Sequence, residues 1–229
     1  MLLLLLAVLP SVFLIAYIWR KDTIEKEPAS LLTSLFFWGA LTVVSAIVLG
    51  AIMEAVAEEL IEPDTLEWLI LDNFIMTAFV EEGGKYFVLK RKTWKSPEFN
   101  YLFDGIVYAV VVSLGFATVE NILYVMGGDL STALLRAVLS VPGHAIDGVF
   151  MGCFYGLAKR CDFAGNRGKC RAYLRRALWV PVLIHGFYDF CLSTEDEFFI
   201  MLFFVFEIIV TAVAYRTVKK ASREDAPIA

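Results

Sequence analysis

The feature that most constrains this chain is a series of apolar stretches, each about 20 residues long, that recurs along its whole length. A helix rises about 1.5 Å per residue, so about 20 such residues match a hydrocarbon layer ~30 Å thick. Hydrophobic residues make up 59% of the 229, charged residues 20%, and the mean hydropathy is +0.69. A soluble chain of this length carries less apolar content and more charge. The sequence therefore predicts an all-α, polytopic membrane helix bundle, one integral domain over residues 1–229, with lipid around it. The net charge of −5 is sorted by connector, and no nucleic-acid partner is expected.

Seven spans are read, at residues 2–19, 31–53, 67–90, 102–126, 131–158, 173–192 and 198–215. No basic residue precedes the first apolar run and no small-x-small site follows it, so a retained anchor is expected rather than a cleaved signal. The fifth span is long enough to tilt, or to bend at Pro142. Eighteen of the twenty Lys and Arg residues lie after spans one, three, five and seven. The other connectors hold Glu58, Glu59, Glu62, Asp64, Asp129, Glu195, Asp196 and Glu197 instead. The positive-inside rule then places the N-terminus outside and the C-terminus in the cytoplasm. Cys153, Cys161, Cys170 and Cys191 form no close pair or zinc-ribbon spacing. Two of them fall in a connector assigned to the reducing cytoplasm, so structural disulfides are not expected.

Small residues repeat every four positions at Gly148, Gly152 and Gly156, and again at Gly105, Ala109, Ser113 and Ala117. Such stripes let helix backbones approach closely in lipid. His144 begins the first stripe and Asn121 continues the second, which turns both polar groups into the bundle. Ionisable groups at bilayer depth cost roughly 2.5–3.5 kcal/mol each on insertion scales, so they face a cavity or a partner. This chain has Glu81, Glu82 and Lys85 in span three, Glu120 and Asn121 in span four, and His144 and Asp147 in span five. His185 and Asp189 lie in span six and Glu207 in span seven. Counted at about 1.5 Å per residue from the outer ends, Glu120 and His185 lie roughly 10 Å deep and His144 and Glu81 about 20 Å. One cavity open to the outside could hold them all.

Spacing suggests roles. Lys85 lies four residues after Glu81, on the same helix face, and can neutralise one of two adjacent carboxylates. Both cannot ionise cheaply in a low dielectric without such a cation. Asp189 lies four residues after His185, placed to orient its imidazole. Two chemistries fit. Either His144, His185 and a glutamate bind Zn²⁺ while a second glutamate serves as base, or a glutamate activates water directly while His and Asn groups stabilise the oxyanion. No HExxH motif is present to decide between them.

The residues also carry a resemblance. Glu81-Glu82-Gly83-Gly84-Lys85 resembles the EExxK motif of the PrsW family of intramembrane proteases. Phe103-Asp104-Gly105-Ile106-Val107-Tyr108, with Gly115-Phe116-Ala117 and Glu120-Asn121, is similar to that family's second block. Pro142-Gly143-His144 and His185-Gly186-Phe187-Tyr188-Asp189 are similar to its histidine blocks. The match covers residues 72–190. The family is distantly similar to the CAAX prenyl endopeptidases, whose FxxxH and HxxxN patterns stand here as FxxxE (Phe116 to Glu120) and HxxxD (His185 to Asp189).

The resemblance implies a bacterial, multi-pass membrane protease that makes the first, extracytoplasmic cut in a membrane-bound anti-sigma factor or similar single-span protein. It implies Glu81 and Glu82 as catalytic glutamates, with His144 and His185 as metal ligands or polar catalysts. The site set expected from residues and resemblance together is Glu81, Glu82, Glu120, Asn121, His144, His185 and Asp189, with His144, His185 and Glu82 holding a Zn²⁺ ion. The principal rival is a transporter or proton-coupled channel using the same carboxylates and histidines; the absence of an inverted repeat speaks against it. A non-catalytic scaffold ranks last, because it gains nothing from buried charge.

Overall fold

The computed structural model describes residues 2–63 and 65–228; Asp64, assigned above to an acidic connector, lies outside the described residues. Among the described residues seven helices follow one another: α1 (Leu2–Lys21), α2 (Ala29–Ala57), α3 (66–93), α4 (Asp104–Gly127), α5 (Leu130–Phe163), α6 (Arg167–Ser193) and α7 (Glu197–Arg223). No strand occurs among the described residues, only an isolated bridge between Tyr101 and Pro227. Five helices are long and apolar enough to cross a membrane: α1, α2, α4, α5 and α7. The other two are diluted by charge. α3 carries Glu81, Glu82 and Lys85 in its middle and Lys90, Arg91 and Lys92 in its last turn. α6 opens with Arg167, Lys169, Arg171, Arg175 and Arg176.

At the centre stands α4, buried without interruption from Asp104 to Thr118. It is apolar on all sides, as a buried or membrane-spanning helix can be, and α1, α2, α3 and α5 pack around it. The small-residue stripes of α4 and α5 meet face to face. A Cβ added at Gly152 would lie 2.3 Å from the Gly105 carbonyl oxygen, and one at Gly156 would lie 2.5 Å from that of Leu102. In lipid no hydrophobic force draws helices together, so this close backbone packing does much of that work. α7 packs on α1, α5 and α6, and its outer face presents Phe204, Ile208 and Ile209 to the surroundings.

Two helices contain a π-helical segment. In α3 it runs Asp72–Phe79, between α-helical Leu66–Leu71 and Val80–Thr93. In α5 it runs Arg136–Ser140, just ahead of Pro142. Of the tilt or bend expected at Pro142, the structure shows a widened turn just ahead of the proline. Proline has no N–H to donate and its ring crowds the carbonyl four residues earlier, here Val138, inside that turn.

At the end of the bundle bearing the basic loops, the residues after α7 fold back on the α3–α4 connector. Ile228 N–H donates to the Asn100 carbonyl at 2.7 Å, and Phe103 N–H to Asp225 Oδ1 at 2.9 Å. Beside this strap the α1–α2 connector buries Asp22 and Glu27. The Tyr108 hydroxyl donates to Glu27 Oε2, with Asp104 alongside. Burial pushes the Glu27 carboxyl up to about 7 against the favourable Tyr108 and Asp104 contacts, and pushes Asp22 up to about 6.

Two outcomes follow from this packing. Gly152→Val should lower the melting temperature sharply, because the added carbons meet backbone rather than flexible side chain; overpacking costs of about 1–3 kcal/mol are the usual floor. An unchanged melting temperature would contradict the α4–α5 contact. A carboxyl raised on folding stabilises most at low pH and loses that contribution as pH rises through its folded value. Melting temperature should therefore fall between pH 5 and 8, and Glu27→Gln should flatten part of that fall; an identical slope would contradict the burial of Glu27.

Candidate active site

The π segment of α3 ends two residues before Glu81, and the one in α5 ends four residues before His144. Each widened turn changes the direction in which the following side chains leave the helix, a device that recurs at functional sites. A third adjustment lies on α6. A Cβ at Gly186 would come within 2.5 Å of the Phe74 ring, so only glycine lets α6 settle this closely on α3. That contact brings His185 to Glu82.

Glu81, Glu82, His144 and His185 converge, each offering one donor atom within 4.8 Å of the other three. At their centre is the Lys85 ammonium, fully buried. Its Nζ donates to Glu82 Oε1 at 2.7 Å and to Glu81 Oε2 at 3.4 Å, lies 3.1 Å from His144 Nδ1 and stands 3.9 Å from the centre of the Phe116 ring. His185 bridges two carboxylates, with Nδ1 3.0 Å from Glu82 Oε1 and Nε2 3.1 Å from Asp189 Oδ2. Helix spacing had assigned the second contact to Asp189. His144 Nε2 lies 2.9 Å from Glu120 Oε2. Because Lys85 can only donate, His144 Nδ1 accepts and Nε2–H faces Glu120.

Glu120 also receives Arg136 Nη2 at 2.7 Å, while Arg136 Nε donates to Asn121 Oδ1 at 3.1 Å and the guanidinium lies 3.8 Å from the Tyr124 ring centre. Asn121 is thus buried one layer back, its Nδ2 donating to the Ala7 carbonyl of α1. Two acceptors, Glu82 Oε2 and Asp147 Oδ1, are buried without a hydrogen-bond partner.

A cavity of about 530 Å³ opens beside this group. Glu81, Glu120, His144, His185 and Asp189 line it, together with Arg136, Asp147, Tyr188 and Glu207. Apolar walls come from Leu135, Leu139, Ile200 and Phe203. Of the seven residues expected from sequence, five line the cavity, Glu82 sits behind Glu81 in the donor group, and Asn121 holds Arg136. Arg136 was missed, although a signal existed. It and Lys85 are the two basic residues left over when the eighteen clustered at the cytoplasm-assigned ends are set aside. Asp147 and Glu207 had been noted only as intramembrane acids.

The arrangement offers two imidazoles and several carboxylates to a space large enough for an extended peptide segment. Residues 27–215 match the family described as PrsW family intramembrane metalloprotease. Among curated relatives, the protease PrsW of Geobacillus kaustophilus is 37% identical over 190 residues, covering 83% of this chain and 79% of its own. That of Bacillus subtilis is 33% identical over 86% of each chain, and that of Clostridioides difficile 35% identical over 90% of this chain and 85% of its own. No solved structure matches the chain. With its motif residues gathered around one cavity inside a helix bundle, and with relatives aligned over most of its length, this chain belongs to the PrsW family of intramembrane proteases.

Proposed function

We propose that this multi-pass bacterial membrane protease is a metal-dependent endopeptidase that makes the first, extracytoplasmic cut in a single-span membrane protein, a membrane-bound anti-sigma factor being the expected substrate. The observation that carries the reading is the convergence of Glu81, Glu82, His144 and His185 beside a roomy cavity. The catalytic core is residues 72–190 within one integral domain, crossing the membrane seven times with the N-terminus outside. Supporting this sidedness, the cavity is lined by Leu135, Arg136 and Leu139 near the start of α5, by Leu192 and Ser193 at the end of α6 and by Ile200 in the first turns of α7. These ends lie opposite the basic connectors.

Two imidazoles with one or two carboxylates form a donor set suited to Zn²⁺, and the unpartnered Glu82 Oε2 leaves a buried acceptor to spare. His144 and His185, with Glu82, would hold the ion, which would supply Lewis-acid polarisation of the scissile carbonyl. Glu81, cavity-facing and 12% exposed at its side chain, would act as the base that takes a proton from the attacking water and returns it to the leaving amine. Glu120 and Asp189 fix the two imidazoles from behind, and such outer partners typically carry 10–100-fold in affinity or rate. Arg136 and Asn121 keep Glu120 in place. Apolar walls receive the unwound substrate segment and keep bulk water from it.

Reconstituted in liposomes with a single-span substrate, the wild type should cleave, and Glu81→Gln, Glu82→Gln, His144→Ala and His185→Ala should each lose at least about 100-fold. Full cleavage by all four would refute the assignment. Glu120→Gln and Asp189→Asn should lose roughly 10–100-fold. A zinc chelator should abolish cleavage and added Zn²⁺ restore it, whereas chelator-resistant cleavage would leave the direct glutamate mechanism standing in its place.

A further inference from the structure

The Lys85 ammonium stands where a metal ion would have to go. Its Nζ is 2.7 Å from Glu82 Oε1, 3.1 Å from His144 Nδ1 and 3.4 Å from Glu81 Oε2, three of the four side chains whose donor atoms gather within 4.8 Å. Zinc sits about 2.0–2.2 Å from nitrogen and oxygen ligands. An ion drawing on these donors has no room while the ammonium holds them. Nor would the two cations tolerate each other, since like charges a few ångströms apart in a low dielectric repel strongly.

We propose that Lys85 is the resident counter-ion of this donor group, and that a divalent ion enters by displacing its ammonium from Glu82 and His144. The inference rests on the metal-dependent reading above and adds a residue that sets metal occupancy.

The chemistry of the site favours an exchange of one cation for another. Without a positive charge, two adjacent buried carboxylates would repel and lack solvation. Lys85 supplies that charge in the metal-free protein. Lysine suits the task better than arginine, being a point charge on a flexible stem rather than a fork that clamps two oxygens. The Phe116 ring, 3.9 Å away, gives the ammonium a cation–π partner that does not depend on the donors it must release. Lys85 also prepares His144. By donating to Nδ1 it selects the tautomer whose Nε2–H faces Glu120 and whose Nδ1 lone pair points at the exchange position.

The test compares zinc-free wild type, Lys85→Met and Lys85→Arg in nanodiscs, reading Zn²⁺ affinity by competition with a chromophoric chelator and melting temperature with and without Zn²⁺. Lys85→Met should bind Zn²⁺ at least tenfold more tightly than wild type, melt lower without it and recover with it. Lys85→Arg should bind at least tenfold more weakly, because its fork holds both carboxylates. Should Lys85→Met fold only when Zn²⁺ is present throughout purification, that dependence supports the exchange; should it fold under neither condition, the affinity of Lys85→Arg decides. Equal affinity in all folded proteins overturns the role of Lys85 and leaves the metal reading intact. Zn²⁺ binding by none of them overturns both, while protease activity is judged by its own cleavage assay.

Discussion

A buried ammonium shared by two adjacent glutamates is the contact on which the rest of the molecule depends. Lys85 and Glu82 are both fully buried and 2.7 Å apart. Moving such charges out of water costs several kcal/mol per ion, and the pairing offsets that cost only where further hydrogen bonds complete it. Here the completion comes from other helices. His185 of α6 reaches Glu82, and His144 of α5 reaches Lys85 while being held by Glu120 of α4. One buried pair thus ties four helices together, and the surrounding packing serves that convergence.

The scaffold meets the requirement by closeness rather than bulk. α4 and α5 touch backbone to backbone through glycine, which brings Glu120 and His144 within reach of each other. α6 reaches α3 through Gly186 against Phe74. The two π segments lie upstream of Glu81 and His144 and adjust the angle at which those side chains enter. On the far side α7 closes the cavity with Ile200, Phe203 and Glu207 but packs on fewer neighbours than α4 or α5.

Much of this was legible in the sequence. Seven stretches read as spans correspond to seven helices among the described residues, five of them long and apolar enough to cross a membrane, and the small-residue stripes marked the faces where α4 and α5 approach closely, because both are periodic signals along one helix. The His185–Asp189 contact followed from helical spacing for the same reason. What escaped was set across helices or by local departure from the α-helix. Spacing paired Lys85 with Glu81, yet Lys85 sits nearer Glu82 and bonds His144 of another helix, 59 residues away in the chain. Asn121 was grouped with the reacting side chains because it continues the α4 stripe and belongs to the resembled block with Glu120, whereas successive helical residues face different directions and Asn121 turns to Arg136 and Ala7. Neither π segment has a sequence signature apart from Pro142. The choice between a proton path and a protease also lay beyond residue spacing, since both use buried acids and histidines; the family relationship settles it in favour of a protease.

The central claim is that charged side chains from separate helices meet as one buried, mutually compensating group. A double-mutant cycle on thermal unfolding tests it most directly, using Glu82→Gln, Lys85→Met and the double variant in metal-free detergent solution. Each single change strands a buried charge and should cost about 3–5 kcal/mol, whereas the double change removes both charges and should cost much less than their sum. Strictly additive losses would mean that Glu82 and Lys85 do not meet inside the bundle, and the site described here would not exist.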